Sequence, residues 1–163
     1  MAGYGSDGDF TTWLEDNWLE LPANAPDADI LREIGSSYVD GAYEPRLQCS
    51  SRTGGFSQER AWPRTGHTVG CESVPDDLIP QPWINASYRA AYLQAVNGFA
   101  TGGGDPNRLT KREKADVLER EFFAVGEGAL AGNAAPGFIV DPLIDGWLSV
   151  WLCPKRGIGF LVI

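Results

Sequence analysis

The side chains in this sequence best able to ligate a metal or attack an electrophile are Cys49, Cys71, Cys153 and His67, the single histidine. Structural zinc sites draw ligands from close pairs such as C-x-x-C, and the sequence contains no such pair. A cysteine–histidine dyad needs a third group to orient the base. The loop-like stretch holding His67 and Cys71 marks none. An odd, widely spaced set of cysteines, behind an N-terminus without the basic and apolar regions of a signal peptide, reads as reduced thiols of a cytoplasmic product. No Walker A or Rossmann glycine pattern follows a plausible strand. Gly102-Gly103-Gly104-Asp105 lacks the lysine and following helix of a phosphate loop, and no G-x-S-x-G elbow occurs. The adjacent carboxylates Asp76 and Asp77 fall in a turn, which they cap or solvate. These residues predict no catalytic residue, no metal site and no cofactor, so the chain does not read as an enzyme.

The remaining chemistry is ionic and aromatic. The chain has 13 Lys and Arg against 22 Asp and Glu, a formal net charge of −9. Non-specific nucleic-acid binding draws its affinity from phosphate neutralisation by a basic face, and this balance argues against it. Four arginines nevertheless fall between Tyr43 and Cys71: Arg46, Arg52, Arg60 and Arg64. In an acidic chain that is a local positive patch. Six tryptophans are many for 163 residues. Such residues fill cores and also anchor interfaces.

Stepping from these side chains to the elements that carry them, the length suits one domain with a core that needs no metal or disulfide. No run of about 18 apolar residues is present, so no membrane span is expected. Phe10, Trp13 and Leu14 predict a helix over 9–17, with Ser6, Asp7 or Asp9 as cap. Ile30, Leu31, Ile34, Tyr38 and Val39 predict a second helix, from about Pro26 to Gly41. Phe56, Gln58, Arg60 and Trp62 alternate, which predicts a hairpin or short strands within 44–72. Ile84, Tyr88, Ala91 and Ala95 predict a third helix over 83–96, closed by Asn97-Gly98. The segment 111–125 fits a helix with a Thr110/Glu113 capping box or a strand. Thr101 to Asn107 and Gly126 to Gly137 read as loops. Asp141-Pro142 opens a last helix carrying Leu143, Trp147 and Val150, with Pro154 as its stop. The fold class is mainly α with a small β component: a bundle of about four helices, a β-hairpin region and an extended C-terminal tail. Residues 1–153 form the helical domain, with the hairpin insert at about 44–72, and 154–163 form the tail. That tail ends on Phe160, Leu161, Val162 and Ile163. Four apolar residues at a terminus call for a place to dock, either on the parent domain or on a neighbouring subunit.

The most distinctive stretch is Arg52-Thr-Gly-Gly-Phe-Ser-Gln-Glu-Arg-Ala-Trp-Pro-Arg-Thr-Gly66, followed by Ile79-Pro80 and the segment Trp83 to Tyr88. Over about residues 5–150 this resembles a tailed-phage family commonly labelled DnaT-like single-stranded DNA-binding protein. Its pattern is a tyrosine-bearing helix, an RTxGRxQxLxWPRTG-like block, and IPxxI before an amphipathic helix. Tyr38 or Tyr43, the Gln58–Gly66 block and Ile79-Pro80 match. Lys111-Arg112-Glu113-Lys114 looks like the start of a family strand. The sequence departs from the pattern at Glu59-Arg60 and in the insert Gly126 to Gly137.

The label implies single-stranded DNA binding linked to phage replication. The helical layout with a WPR block instead looks like head–tail connector (adaptor) proteins. That resemblance implies a virion protein of the phage neck, made in the host cytoplasm and forming a homo-oligomeric, twelvefold ring beneath the portal. Its partners would be the portal protein, neighbouring copies, and tail or head-completion proteins. Genomic DNA would pass through the channel without specific binding, and no membrane would be involved. An acidic inner surface suits a ring through which DNA must slide. On this reading Phe160, Leu161, Val162 and Ile163 dock on the portal or an adjacent subunit. Arg52, Gln58, Arg60, Trp62 and Arg64 form inter-subunit contacts, with the arginines paired to carboxylates of neighbours.

Overall fold

Ser6 sets where the first helix begins. Its hydroxyl accepts the Asp9 amide at 3.1 Å, and α1 then runs Asp7–Asp16 with Phe10 and Leu14 buried. The computed structural model describes residues 2–101 and 140–153, together with the backbone of 110–114 and 119–122. Within it α2 spans Ala28–Tyr43, α3 spans Gln81–Asn97 and α4 spans Pro142–Leu148. Asp27, rather than Pro26, occupies the cap position of α2. That helix passes through Gly41, because Ala42 and Tyr43 beyond it are buried in the core. Gly98 closes α3 at φ 71°. Asp141 caps α4 by accepting the Leu143 and Ile144 amides, as its place before Pro142 predicts. The molecule is mainly α with a small β component.

α2 and α3 form the central pair. They approach so closely that a Cβ on Gly35 would lie 2.2 Å from the Ser87 carbonyl oxygen. α1 packs across one end of the pair through Phe10, Leu14, Leu31, Tyr88 and Ala91. The larger core lies at the other end. There Tyr38, Tyr43, Leu47, Trp62, Trp83, Ile144 and Leu148 meet.

The segment between α2 and α3 holds two short antiparallel strand pairs. Strand β1 (Ser51–Arg52) pairs antiparallel with β2 (Arg64–Thr65), and β3 (Thr68–Val69) with β4 (Glu72–Ser73). The hairpin expected here therefore exists, but its alternating residues are not a strand. Gly55–Ser57 form a 3-10 turn, entered with Gly55 at φ 64°, and Gln58 to Pro63 form an irregular return. The ambiguous 111–125 segment supplies β5 (Thr110–Lys114) and β6 (Glu119–Phe122), an antiparallel pair. Of the loop expected at 101–107, Thr101 ends a 3-10 turn, Phe99–Thr101; its other residues, the loop expected at 126–137 and the tail 154–163 lie outside the described residues.

Candidate functional site

The distinctive block Arg52–Gly66 is tied to two carboxylates of α2 and the turn after it: Glu44 near both its ends and Asp40 at its middle. Asp40 is 8 % exposed. It accepts hydrogen bonds from the Tyr4 hydroxyl at 2.8 Å, the Trp83 indole at 3.1 Å and the Ala61 amide at 3.2 Å. Arg60 lies 3.7 Å away. Burial raises the Asp40 pKa, while those three donors and the Arg60 charge oppose the rise. The same burial, with Asp40 beside it, raises the Tyr4 hydroxyl far above its ordinary value.

Glu44 receives Arg52 through two parallel bonds, Nε to Oε1 and Nη2 to Oε2, both 2.6 Å. Arg64 approaches the same carboxylate at 3.4 Å. The Arg52 hydrogen bonds hold Glu44 below the usual carboxylate range, against the opposing effect of burial. Arg64 itself is buried and spends its donors inside the fold. It donates to Ser50 Oγ at 2.8 Å and to the carbonyls of Ala61, Leu47 and Ser50 at 3.1, 3.0 and 2.6 Å.

Gln58 ties the loop to itself. Its amide nitrogen donates to the Arg60 and Pro63 carbonyls at 2.8 and 2.9 Å. Its oxygen accepts the Gly54 amide at 2.8 Å, and Arg52 Nη1 donates to the Gln58 carbonyl. Trp62, joined to Pro63 by a cis peptide, is a core residue. Its ring meets Trp83 edge-on at 5.8 Å, Trp151 at 6.0 Å and His67 at 4.9 Å. The sequence reading gave Arg52, Arg60 and Arg64 carboxylates on a neighbouring copy. The structure supplies those carboxylates, Glu44 and Asp40, within the chain. Gln58 and Trp62 likewise work inside the subunit.

What the block offers outward is Phe56. It stands fully exposed at the tip of the 53–63 loop, while the loop base is buried or bonded. Trp18 is also exposed, at the end of α1. Phe56 escaped the sequence reading because alternation assigned it the same face as Trp62. Its neighbours Gly54-Gly55 were the available signal that the chain turns there.

The charge is distributed unevenly. Residues 2–101 and 140–153 hold six arginines and sixteen carboxylate side chains. Every one of those arginines is paired with a carboxylate of its own chain: Arg32 with Asp7, Arg46 with Asp145, Arg52 and Arg64 with Glu44, Arg60 with Asp40, and Arg89 with Asp141. Burial alone would raise Asp141, but the Arg89 hydrogen bonds and the first amides of α4 hold it below its ordinary range. A cleft of about 460 Å³ between α1 and α3 carries Asp9 and Asp16 beside Trp13 and Tyr88, with no cation in its lining. Lys111, Arg112 and Lys114 fall on β5 and Arg120 on β6. Their register sets Arg112 opposite Glu121, Glu113 opposite Arg120 and Lys114 opposite Glu119, three opposite-charge positions.

The cysteine reading needs correction. Cys49 and Cys153 form a disulfide with their Cα atoms 5.7 Å apart, and Cys71 alone is free and exposed. The turn after α4 lies against the segment after α2, where the Cys153 amide donates to the Arg46 carbonyl at 3.0 Å. His67 lies beside the pair, with Nδ1 3.0 Å from Ser50 Oγ and 3.9 Å from Cys49 Sγ. The ligand atoms of Cys49, His67 and Cys153 all fall within 4.8 Å of one another. Cys71, which the sequence places nearer His67, is not part of the group.

Among the described residues no helix is long and apolar enough to cross a membrane. A family model described as "Putative DnaT-like ssDNA binding protein" matches residues 3–156. No curated protein and no solved structure matches the chain.

Proposed function

The chain belongs to the DnaT-like single-stranded DNA-binding family, and from that premise we propose that its role is structural. It is a subunit of the phage neck, forming a ring that joins the portal to the tail and continues the DNA channel. The observation that carries this reading is the disposition of charge beneath Phe56. All six arginines of residues 2–101 and 140–153 are engaged with carboxylates of the same chain, and the same residues hold sixteen acids. Binding a phosphate backbone needs unspent cations. A braced loop that presents a bare aromatic ring over neutralised arginines instead fits a protein partner, where aromatic anchors in apolar pockets dominate the energy. In this role the partners are neighbouring copies, the portal protein, and tail or head-completion proteins. The apolar tail Phe160–Ile163 docks on the portal or an adjacent subunit. Genomic DNA passes an acidic surface that repels it.

The family's own description favours a second reading, single-stranded DNA binding linked to replication. Exposed aromatics such as Phe56 and Trp18 can stack on bases, but such proteins combine stacking with a positive groove. Lys111, Arg112, Lys114 and Arg120 on β5 and β6 would be candidate cations for one, and the register opposes Arg112, Lys114 and Arg120 to glutamates.

Fluorescence anisotropy with a labelled oligonucleotide at low salt separates the two. The structural reading expects no binding up to about 10 μM protein, beyond the tighter end of non-specific affinities. Salt-dependent binding at micromolar concentration, weakened by the combined Lys111→Ala, Arg112→Ala and Lys114→Ala changes, overturns it in favour of the second.

A further inference from the structure

Three soft or borderline ligands from three separate segments converge at one end of the molecule. Cys49 follows α2, His67 precedes β3 and Cys153 follows α4. Thiolate and imidazole donors in this number are the ligand set of zinc. We propose that the reduced chain binds one zinc-class divalent cation through Cys49 Sγ, Cys153 Sγ and His67 Nδ1, with the fourth position left to solvent.

The geometry needs little change. Zinc–sulfur and zinc–nitrogen bonds of about 2.3 and 2.0 Å at tetrahedral angles put a sulfur and a nitrogen about 3.5 Å apart. Cys49 Sγ and His67 Nδ1 already lie 3.9 Å apart. Once their bond is opened, the two sulfurs need to part to about 3.8 Å on the same geometry, which side-chain rotation supplies at an exposed Cys49 and a half-buried Cys153. The imidazole is fixed, being 1 % exposed and packed edge-on against Trp62.

Opening the site is a two-electron step. A dithiol reductant passes two electrons to the Cys49–Cys153 bond and closes to its own disulfide, and each protein sulfur takes up a proton. The metal then displaces both protons to solvent as two metal–sulfur bonds form. Disulfide and metal site are thus alternative states of one pair of sulfurs, and both fasten the turn after α4 to the segment after α2.

The test uses the full chain, reduced and freed of small thiols, titrated with Co²⁺ alone and then Zn²⁺. The expected result is one equivalent of Co²⁺ with a sulfur-to-cobalt charge-transfer band, displaced by Zn²⁺. The band persists in Cys71→Ser, vanishes in Cys153→Ser, and is absent from the oxidised chain. If Cys153→Ser proves unfolded, alkylation of the wild-type chain decides. Zn²⁺ should slow modification of Cys49 and Cys153, mapped by mass spectrometry, by at least about tenfold and leave Cys71 unprotected. No cobalt uptake by the reduced chain, a band that needs Cys71, or protection that omits Cys153 overturns the proposal.

Discussion

Trp62 and Phe56 lie six residues apart in one loop and end in opposite environments. Trp62 is 1 % exposed and touches two tryptophans and a histidine. Phe56 touches nothing that shields it. Between them Gln58 and Arg52 bond the loop to itself and to Glu44. The contrast shows what a dense sequence motif encodes here. Several of its polar and aromatic members build the loop, and Phe56 is the large apolar side chain they hold outside. The difference can be broken or sharpened from either end.

The largest effect is expected at the base. Trp62→Ala removes the hub of the main core and should cost about 3–5 kcal/mol, read as a lowered denaturant midpoint. Arg64→Ala follows, at about 3 kcal/mol, because it leaves buried carbonyls of Leu47, Ser50 and Ala61 without their donor. A loss under about 1 kcal/mol would mean that water replaces the guanidinium and that the base is not a closed network. Gly35→Ala, outside the loop, should cost about 1–3 kcal/mol through the α2–α3 contact. Comparing it with Arg64→Ala separates damage to the helix pair from damage to the loop.

The pH dependence sharpens the base further. Glu44 has a lowered folded pKa, so its contribution is present above its unfolded value, about 4.3, and is lost as pH falls through the folded one. Asp40 has a raised folded pKa, so its contribution is present below its unfolded value and fades as pH rises through the folded one. Acid titration of stability should therefore show a loss below the ordinary carboxylate range that flattens in Glu44→Gln. An unchanged titration in that variant would remove Glu44 as its source. At the tip, Phe56→Ser should change stability by no more than about 0.5 kcal/mol while abolishing assembly with partners. Assembly that survives the change would assign the partner surface elsewhere.

Some of this was legible in the sequence for local reasons. Ser6, Asp141-Pro142 and Asn97-Gly98 mark helix ends through caps that act within three residues, and the structure uses each one. The family was legible from the Arg52–Gly66 block, which falls inside the matched residues 3–156. What was not legible depended on distance or on competition. Cys49 and Cys153 are 104 residues apart, and no spacing rule reports that α4 returns to the segment after α2. Gly41 looked like a terminator, but tertiary burial of Tyr43 against Trp83, 6.5 Å between rings, extends α2 past it. The alternation from Phe56 to Trp62 imitated a strand. Gly55 and the Gln58 side chain, which bonds three backbone groups in place of a ladder, decided otherwise. Sequence shows which charges exist, and the fold adds that Arg52, Arg60 and Arg64 already have carboxylates of their own chain beside them.

The central claim is that this subunit is built to meet protein. Negative-stain imaging of the chain mixed with its portal tests it most directly. The account predicts rings seated on the portal face, absent when Phe56→Ser or a chain lacking residues 157–163 replaces the wild type. A folded wild-type chain that leaves every portal bare would contradict it.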